Sequence, residues 1–254
     1  LKMSVLLDIA KATRVERTMP VIATIMIPLT YAKSFSVDMV ILVVCCVLTY
    51  MAFGLHNAYR DNDFTLPKYS YLLSFALLGS SIILSVYNEK ILILNFLWVL
   101  LGLIYNTISR RILFADITIL VFTHHVLPAL FAGWILGLQK SRILGYSIVI
   151  FFVFWFLIQI KNLKGTIEDK ERGYATPATI FQNGRRFIQL FREFGFVMML
   201  IPYFFFDAGI VFILSLLAIN CVKFVCDSIL SIEKNLKITR VLAVVFLLSW
   251  AVGV

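Results

Sequence analysis

Apolar residues fall into nine long runs along the chain, near 19–35, 37–57, 69–87, 91–108, 113–137, 144–161, 189–206, 208–232 and 238–254. Most approach the ~20 residues that an α-helix needs to cross the hydrocarbon core of a bilayer. The runs are continuous rather than alternating, which excludes a membrane β-barrel. The pattern predicts an all-α integral membrane protein with nine transmembrane helices and a single domain over 1–254. Connections between runs are short, with two exceptions. One follows the second run, Tyr59–Lys68; the other follows the sixth, from Asn162 to about Phe187. Residues 1–17 are mixed and amphipathic, without the apolar core and small-residue site of a cleavable signal.

Composition agrees with the pattern. The 254 residues are 61% hydrophobic and 15% charged, with a mean hydropathy of +0.94, more apolar surface than a soluble domain of this length uses. The net charge of +9 would raise nucleic acid in a soluble protein. Here the bases sit in short loops between apolar runs, so they report topology and no nucleic-acid partner is expected. With the N-terminus in the cytoplasm, most Lys and Arg fall on the cytoplasmic side, and only Lys33, Lys90, Lys140 and Arg142 fall opposite. The expected location is multi-pass in a lipid bilayer, a plasma membrane, with the N-terminus cytoplasmic. Cys45, Cys46, Cys221 and Cys226 all lie inside apolar runs and read as packing residues.

Both long loops then face the cytoplasm, and both are acidic. The first holds Asn57, Arg60, Asp61 and Asp63; Asn57 and Asp61 are four apart and share one helix face. The second holds Lys161, Asn162, Lys164, Glu168, Asp169 and Glu171, with Glu168 and Glu171 three apart. Solvated loop charges are the plain reading. The mixture of an amide, carboxylates and interleaved bases fits something narrower, a diphosphate held through a divalent cation. Mg²⁺ keeps waters and shares phosphate oxygens with one or two protein carboxylates, and nearby bases neutralise the rest.

At these residues the chain resembles the UbiA superfamily of intramembrane prenyltransferases. Those proteins have nine transmembrane helices and two aspartate-rich motifs, after the second and the sixth. Asn57 and Asp61 match the first motif, and Asp169 matches the second acid of the other. Further likenesses are Arg14 to Thr18 before the first run, Gly173 to Pro177 after the second motif, and Tyr105 with Arg110 and Arg111. Two positions depart: Thr65 stands where the family has Asp, with Asp63 nearby, and Gly165 stands at the first acid of the second motif. The metal site is then rearranged, or binds Mg²⁺ more weakly, or belongs to a divergent branch.

The resemblance implies a central cavity open to the cytoplasmic side and Mg²⁺-dependent ionisation of an isoprenoid diphosphate. The implied metal ligands are Asn57, Asp61, Asp63, Glu168, Asp169 and Glu171, with Asp61 and Asp169 central to catalysis. The implied diphosphate contacts are Arg60, Lys68, Tyr105, Arg110, Arg111 and Lys164, with Arg14 beside them. The cation is captured by a lipophilic acceptor, aromatic or hydroxyl, or the prenyl chain closes on itself as in a terpene cyclase. A non-catalytic lipid-binding or transport protein on the same scaffold is a third reading. Tyr50, Tyr59, Tyr105 and Trp134 are candidate aromatic lining for such a cation.

Polar residues inside the runs add acceptor or cavity candidates. These are Asn106, His124, His125 and Asn162. At the 100° step of an α-helix, only one of the adjacent histidines is expected to face a cavity, and Pro128 is expected to kink that helix. Lys223 and Asp227, four apart, read as an ion pair on one face. Asp116 reads as a helix N-terminal acid.

Overall fold

The computed structural model describes residues 3–60, 64, 66–107, 109–163 and 166–254. Among them the regular structure is entirely helical. In chain order the helices are α1 (Met3–Thr13), α2 (Met19–Ala32), α3 (Val37–Arg60), α4 (Tyr69–Ser85), α5 (Glu89–Thr107), α6 (Ala115–Val121), α7 (Leu127–Ile135), α8 (Lys140–Ile158), α9 (Thr166–Glu171), α10 (Pro177–Ile180), α11 (Gly184–Met198), α12 (Ile201–Phe205), α13 (Ile210–Ile229) and α14 (Ile232–Gly253). Among the described residues six stretches are long and apolar enough to cross a bilayer: Val37–Arg60, Ala115–Ile135, Lys140–Leu163, Gly184–Phe205, Ile210–Ile229 and Lys234–Gly253. The chain is a multi-pass integral membrane protein. The remaining apolar runs are helical as well, but α2 and α4 are short, at 14 and 17 residues.

Two runs are interrupted, each at a proline. Residues Phe122–Val126 form a π-turn between α6 and α7, directly before Pro128. Pro128 offers no N–H to the turn behind it, and the backbone is wound wider there. The seventh run breaks between α11 and α12, where Pro202 opens the second piece.

The buried apolar residues form two main clusters. One joins α2, α6, α7, α8, α11, α13 and α14; the other joins α2, α3, α5 and α7. Helices α2 and α7 contribute to both, so they form the partition between two lobes. The second lobe is also tied by hydrogen bonds. Thr49 on α3 donates to Asn95 Oδ1 at 3.1 Å, and Asn95 on α5 donates to Ser81 Oγ on α4 at 2.9 Å. Ser81 donates in turn to the Cys45 carbonyl at 3.0 Å. In lipid, where apolar burial drives helices together only weakly, such bonds join one helix to the next.

Helix α1 is an element that the apolar runs did not predict. Its end packs on α3, with Ala12, Leu55 and Ala58 all fully buried. Gly54 permits the contact: a Cβ there would meet the Thr13 carbonyl oxygen at 2.9 Å. Immediately afterwards Arg14 takes a left-handed conformation, φ 53°, and turns the chain through Val15–Arg17 into α2. That reversal sets Arg14 and Arg17 beside the ends of α3 and α14.

Candidate active site

Between the lobes lies a cavity of about 690 Å³. Its walls come from the start of α2, from α3, α5, α6, the π-turn, α8 and α14. Three of these helices enter it with the same spacing. Asn57, Tyr105 and Lys161 line it near the ends of α3, α5 and the α8 extension; Tyr50, Trp98 and Phe154 line it seven residues earlier on each. Seven helical residues rise ~10 Å, so the cavity has a polar rim and an aromatic floor about two turns below it.

The rim is basic. Among the described residues Arg14, Arg17, Lys161, Lys237 and Arg240 line the cavity against a single acid, Glu16. Lys161 is held from two sides: its ammonium lies 3.2 Å from Asp116 and donates to the Tyr105 hydroxyl at 3.3 Å. Asp116 does stand in the first turn of α6, as expected of an N-terminal acid, but its carboxylate is buried and paired with Lys161. The ion pair fixes where the ammonium stands. Asn57 brings a different resource, because its Oδ1 is buried at the rim without a hydrogen-bond partner among the described residues. A buried amide oxygen left unpaired is costly in the absence of a ligand.

The floor is built around the two histidines. His124 lies 4.8 Å from Tyr50 and 5.6 Å from Trp98, edge-on to both rings, measured between ring centroids. His125 stacks on Phe154 at 3.8 Å. Both line the cavity, contrary to the expectation from α-helical spacing. The π-turn that contains them is the reason, since its wider winding turns less per residue than an α-helix. His124 Nδ1 lies 2.8 Å from the Leu120 carbonyl, which can only accept, so Nδ1 carries the hydrogen. In the neutral ring the lone pair is then on Nε2.

The other sequence candidates are distributed as follows. Asp61, Asp63 and Lys164 lie outside the described residues, as do the side chains of Asn106, Arg110 and Glu168. Arg60, Lys68, Arg111 and Glu171 are exposed, and Asp169 is half-buried on α9. Asn162 is buried and its amide donates to Gln159 at 3.4 Å. Among the aromatic candidates Tyr50 and Tyr105 line the cavity. Trp134 does not; it is half-exposed under Lys90, whose ammonium donates to the Trp134 carbonyl. Tyr59 sits beside Tyr71. Arg17, Lys161, Lys237, Arg240 and Trp98 had not been singled out as contacts. The spacing of Lys237 and Arg240, three apart at the start of the last run, was the signal for that pair.

No family model and no curated protein matches the sequence. Two solved structures match in shape. A digeranylgeranylglyceryl phosphate synthase superposes with a TM-score of 0.65 at 15% identity, over 99% of each chain. The apo structure of a UbiA homologue from Aeropyrum pernix K1 superposes with a TM-score of 0.71 at 11% identity, over 92% of this chain and 97% of that one. At these identities the likeness concerns the fold.

Proposed function

We propose that this chain, which has the UbiA fold, is an intramembrane prenyltransferase that moves a prenyl group from an isoprenoid diphosphate to a lipophilic acceptor, aromatic or hydroxyl. In this reading the backbone crosses the bilayer nine times and the polar rim faces the cytoplasm. The observation that carries the reading is the union of a basic rim and an aromatic, apolar floor in one cavity of about 690 Å³. A diphosphate matches the rim, and a prenyl tail matches the floor.

Each part of the site has a task. Arg14, Arg17, Lys161, Lys237 and Arg240 neutralise the diphosphate as the C–O bond breaks and the electron pair leaves with it. The orphaned Asn57 oxygen fits a hard cation, and it stands one turn before Asp61. Asn57, Asp61, Asp63, Glu168, Asp169 and Glu171 are the residues that would hold Mg²⁺. Among the described residues no group of three or more His, Cys, Asp or Glu forms a metal site by itself; Asp61, Asp63 and the side chain of Glu168 lie outside them. Bound there, Mg²⁺ supplies charge stabilisation to the departing diphosphate. Tyr50, Trp98 and Phe154 present π-faces and edges to the allylic cation and its chain.

One observation favours a second reading, a cyclase without an external acceptor. The Nε2 lone pair of His124 lies at the floor, ~10 Å below the rim by helical rise, where the distal carbons of a prenyl chain would lie rather than its first carbon. Loss of a proton to His124 at that depth would end a ring closure.

Purified protein incubated with geranylgeranyl diphosphate and no added acceptor tests both readings. Diphosphate release in Mg²⁺ is expected to fall about a hundredfold in EDTA and in Asp61→Ala. A cyclic or olefinic hydrocarbon as product selects the cyclase; release that rises only when an aromatic or hydroxyl lipid is added selects the transferase. No release under either condition, together with no Mg²⁺ binding at millimolar concentration, would overturn the enzyme reading in favour of a lipid-binding scaffold.

A further inference from the structure

Behind α14, at the same end of the bundle, is a separate crevice of about 290 Å³ between α11, α13 and the start of α14. Its polar walls are Gln189, Arg192, Glu193, Asp227 and Asn235. Ile160 lines both this crevice and the central cavity, and Thr239, which accepts from Arg192 Nε at 3.1 Å, lines the cavity. The two spaces therefore lie at one depth, that of the polar rim.

Arg192 is the centre of the crevice. It is 5% exposed, and its Nη1 pairs with Asp227 at 2.8 Å. Lys223 lies between Asp227 and Glu193 and pairs with both. The predicted Lys223–Asp227 pair is thus half of a four-charge bridge that joins α11 to α13. Two atoms in the crevice walls remain unmatched. Among the described residues Arg192 Nη2 is a buried donor without an acceptor, and Asn235 Oδ1 is a buried acceptor without a donor.

We infer that this crevice holds the phosphoethanolamine headgroup of a bilayer lipid, with phosphate on Arg192 Nη2 and ammonium on Asn235 Oδ1. The charge pattern selects among headgroups. Arg192 lines the crevice beside two acids, Glu193 and Asp227, which Lys223 pairs from outside it; the acids repel a bare anion, so a zwitterion fits better than a free phosphate or an acidic lipid. Asn235 Oδ1 needs an N–H, which a primary ammonium has and a quaternary choline lacks. The flanking surface points to a lipid rather than a soluble amine. Leu190, Phe194 and Val197 on α11 and Val222, Phe224 and Val225 on α13 are all exposed apolar side chains, which acyl chains would cover.

Native mass spectrometry of the full chain, after exposure to dioleoyl-phosphatidylethanolamine, -choline or -glycerol in separate samples, tests the inference. Retention of the ethanolamine lipid is expected to exceed that of the choline lipid about tenfold, the worth of one charge-assisted hydrogen bond. Asn235→Leu removes an acceptor with no partner among the described residues, and the preference is expected to vanish with the melting temperature nearly kept. Millimolar soluble phosphoethanolamine is expected not to displace the lipid. Equal retention of the three lipids would overturn the inference in favour of a water-filled crevice. Retention led by the glycerol lipid would replace it with an anion site, and displacement by soluble phosphoethanolamine would remove the lipid from it. None of these outcomes depends on whether the central cavity is catalytic.

Discussion

Two buried polar regions of this bundle are built from similar side chains and differ in whether their hydrogen bonds close. In the α3–α4–α5 lobe, Thr49, Ser81 and Asn95 satisfy one another and the Cys45 carbonyl. At the polar end, Asn57, Arg192 and Asn235 each keep a buried atom without a partner, and Asp116 keeps one oxygen so. A membrane interior offers no water to make up the difference, so an open hydrogen bond there persists where something outside the chain can close it. The contrast teaches how to read polar residues in a membrane bundle. Here the closed set holds helices together, while the open atoms of Asn57, Arg192 and Asn235 line cavities that a ligand could fill.

The comparison is broken most severely at Lys161, a rim cation whose position is fixed by a buried acid. Lys161→Met is expected to slow diphosphate release about a hundredfold, as loss of a placed transition-state donor does. It also leaves Asp116 buried and unpaired, a loss of about 3–5 kcal/mol. The double variant Lys161→Met with Asp116→Leu separates the two effects. Its melting temperature is expected to recover toward wild type while the rate does not. Recovery of both would reduce Lys161 to a structural residue.

A smaller effect is expected at Gly54, which touches the rim only through the backbone. Gly54→Ala drives a methyl against the Thr13 carbonyl oxygen and displaces the segment that carries Arg14 and Arg17. The variant is expected to lose about 1–3 kcal/mol, the range for overpacking. KM for the diphosphate substrate is expected to rise several-fold with kcat nearly kept, because two rim cations move while Lys161 stays. An unchanged KM would place the Arg14–Arg17 reversal outside the substrate site.

Much of the helical layout was legible because lipid imposes a simple rule: long apolar runs become helices. The lateral organisation was not. Nothing in the linear pattern says that Asn57, Tyr105 and Lys161 come together, although each stands seven residues beyond an aromatic that lines the floor. The acids of both loops were visible as a chemical type, while the bases that complete the rim were hidden as ordinary topology signals. The spacing of Lys237 and Arg240 puts them on one helix face, but only the fold shows that this face of α14 lines the cavity. The paired histidines failed for a local reason: a periodicity of 3.6 cannot anticipate a π-turn. Helix α1 went unseen because its packing rests on small residues, Ala12 against Gly54 and Ala58, which carry little hydrophobic signal.

The smallest effect is expected in the closed set, and it bears most directly on the contrast. Asn95→Leu removes two donated bonds to Ser81 and the acceptor of the Thr49 hydroxyl, on a helix whose later turns carry Trp98 and Tyr105 into the cavity. Bonds of this kind between membrane helices are worth about 1 kcal/mol or less, since hydroxyls left behind can turn to carbonyls of their own helix. A melting temperature a few degrees lower is therefore expected, with diphosphate release within twofold of wild type. If turnover instead fell with stability nearly unchanged, the lobe would be setting the position of Trp98 at the floor. Closed polar sets would then shape the site as much as open ones, and the division between glue and ligand site would fail.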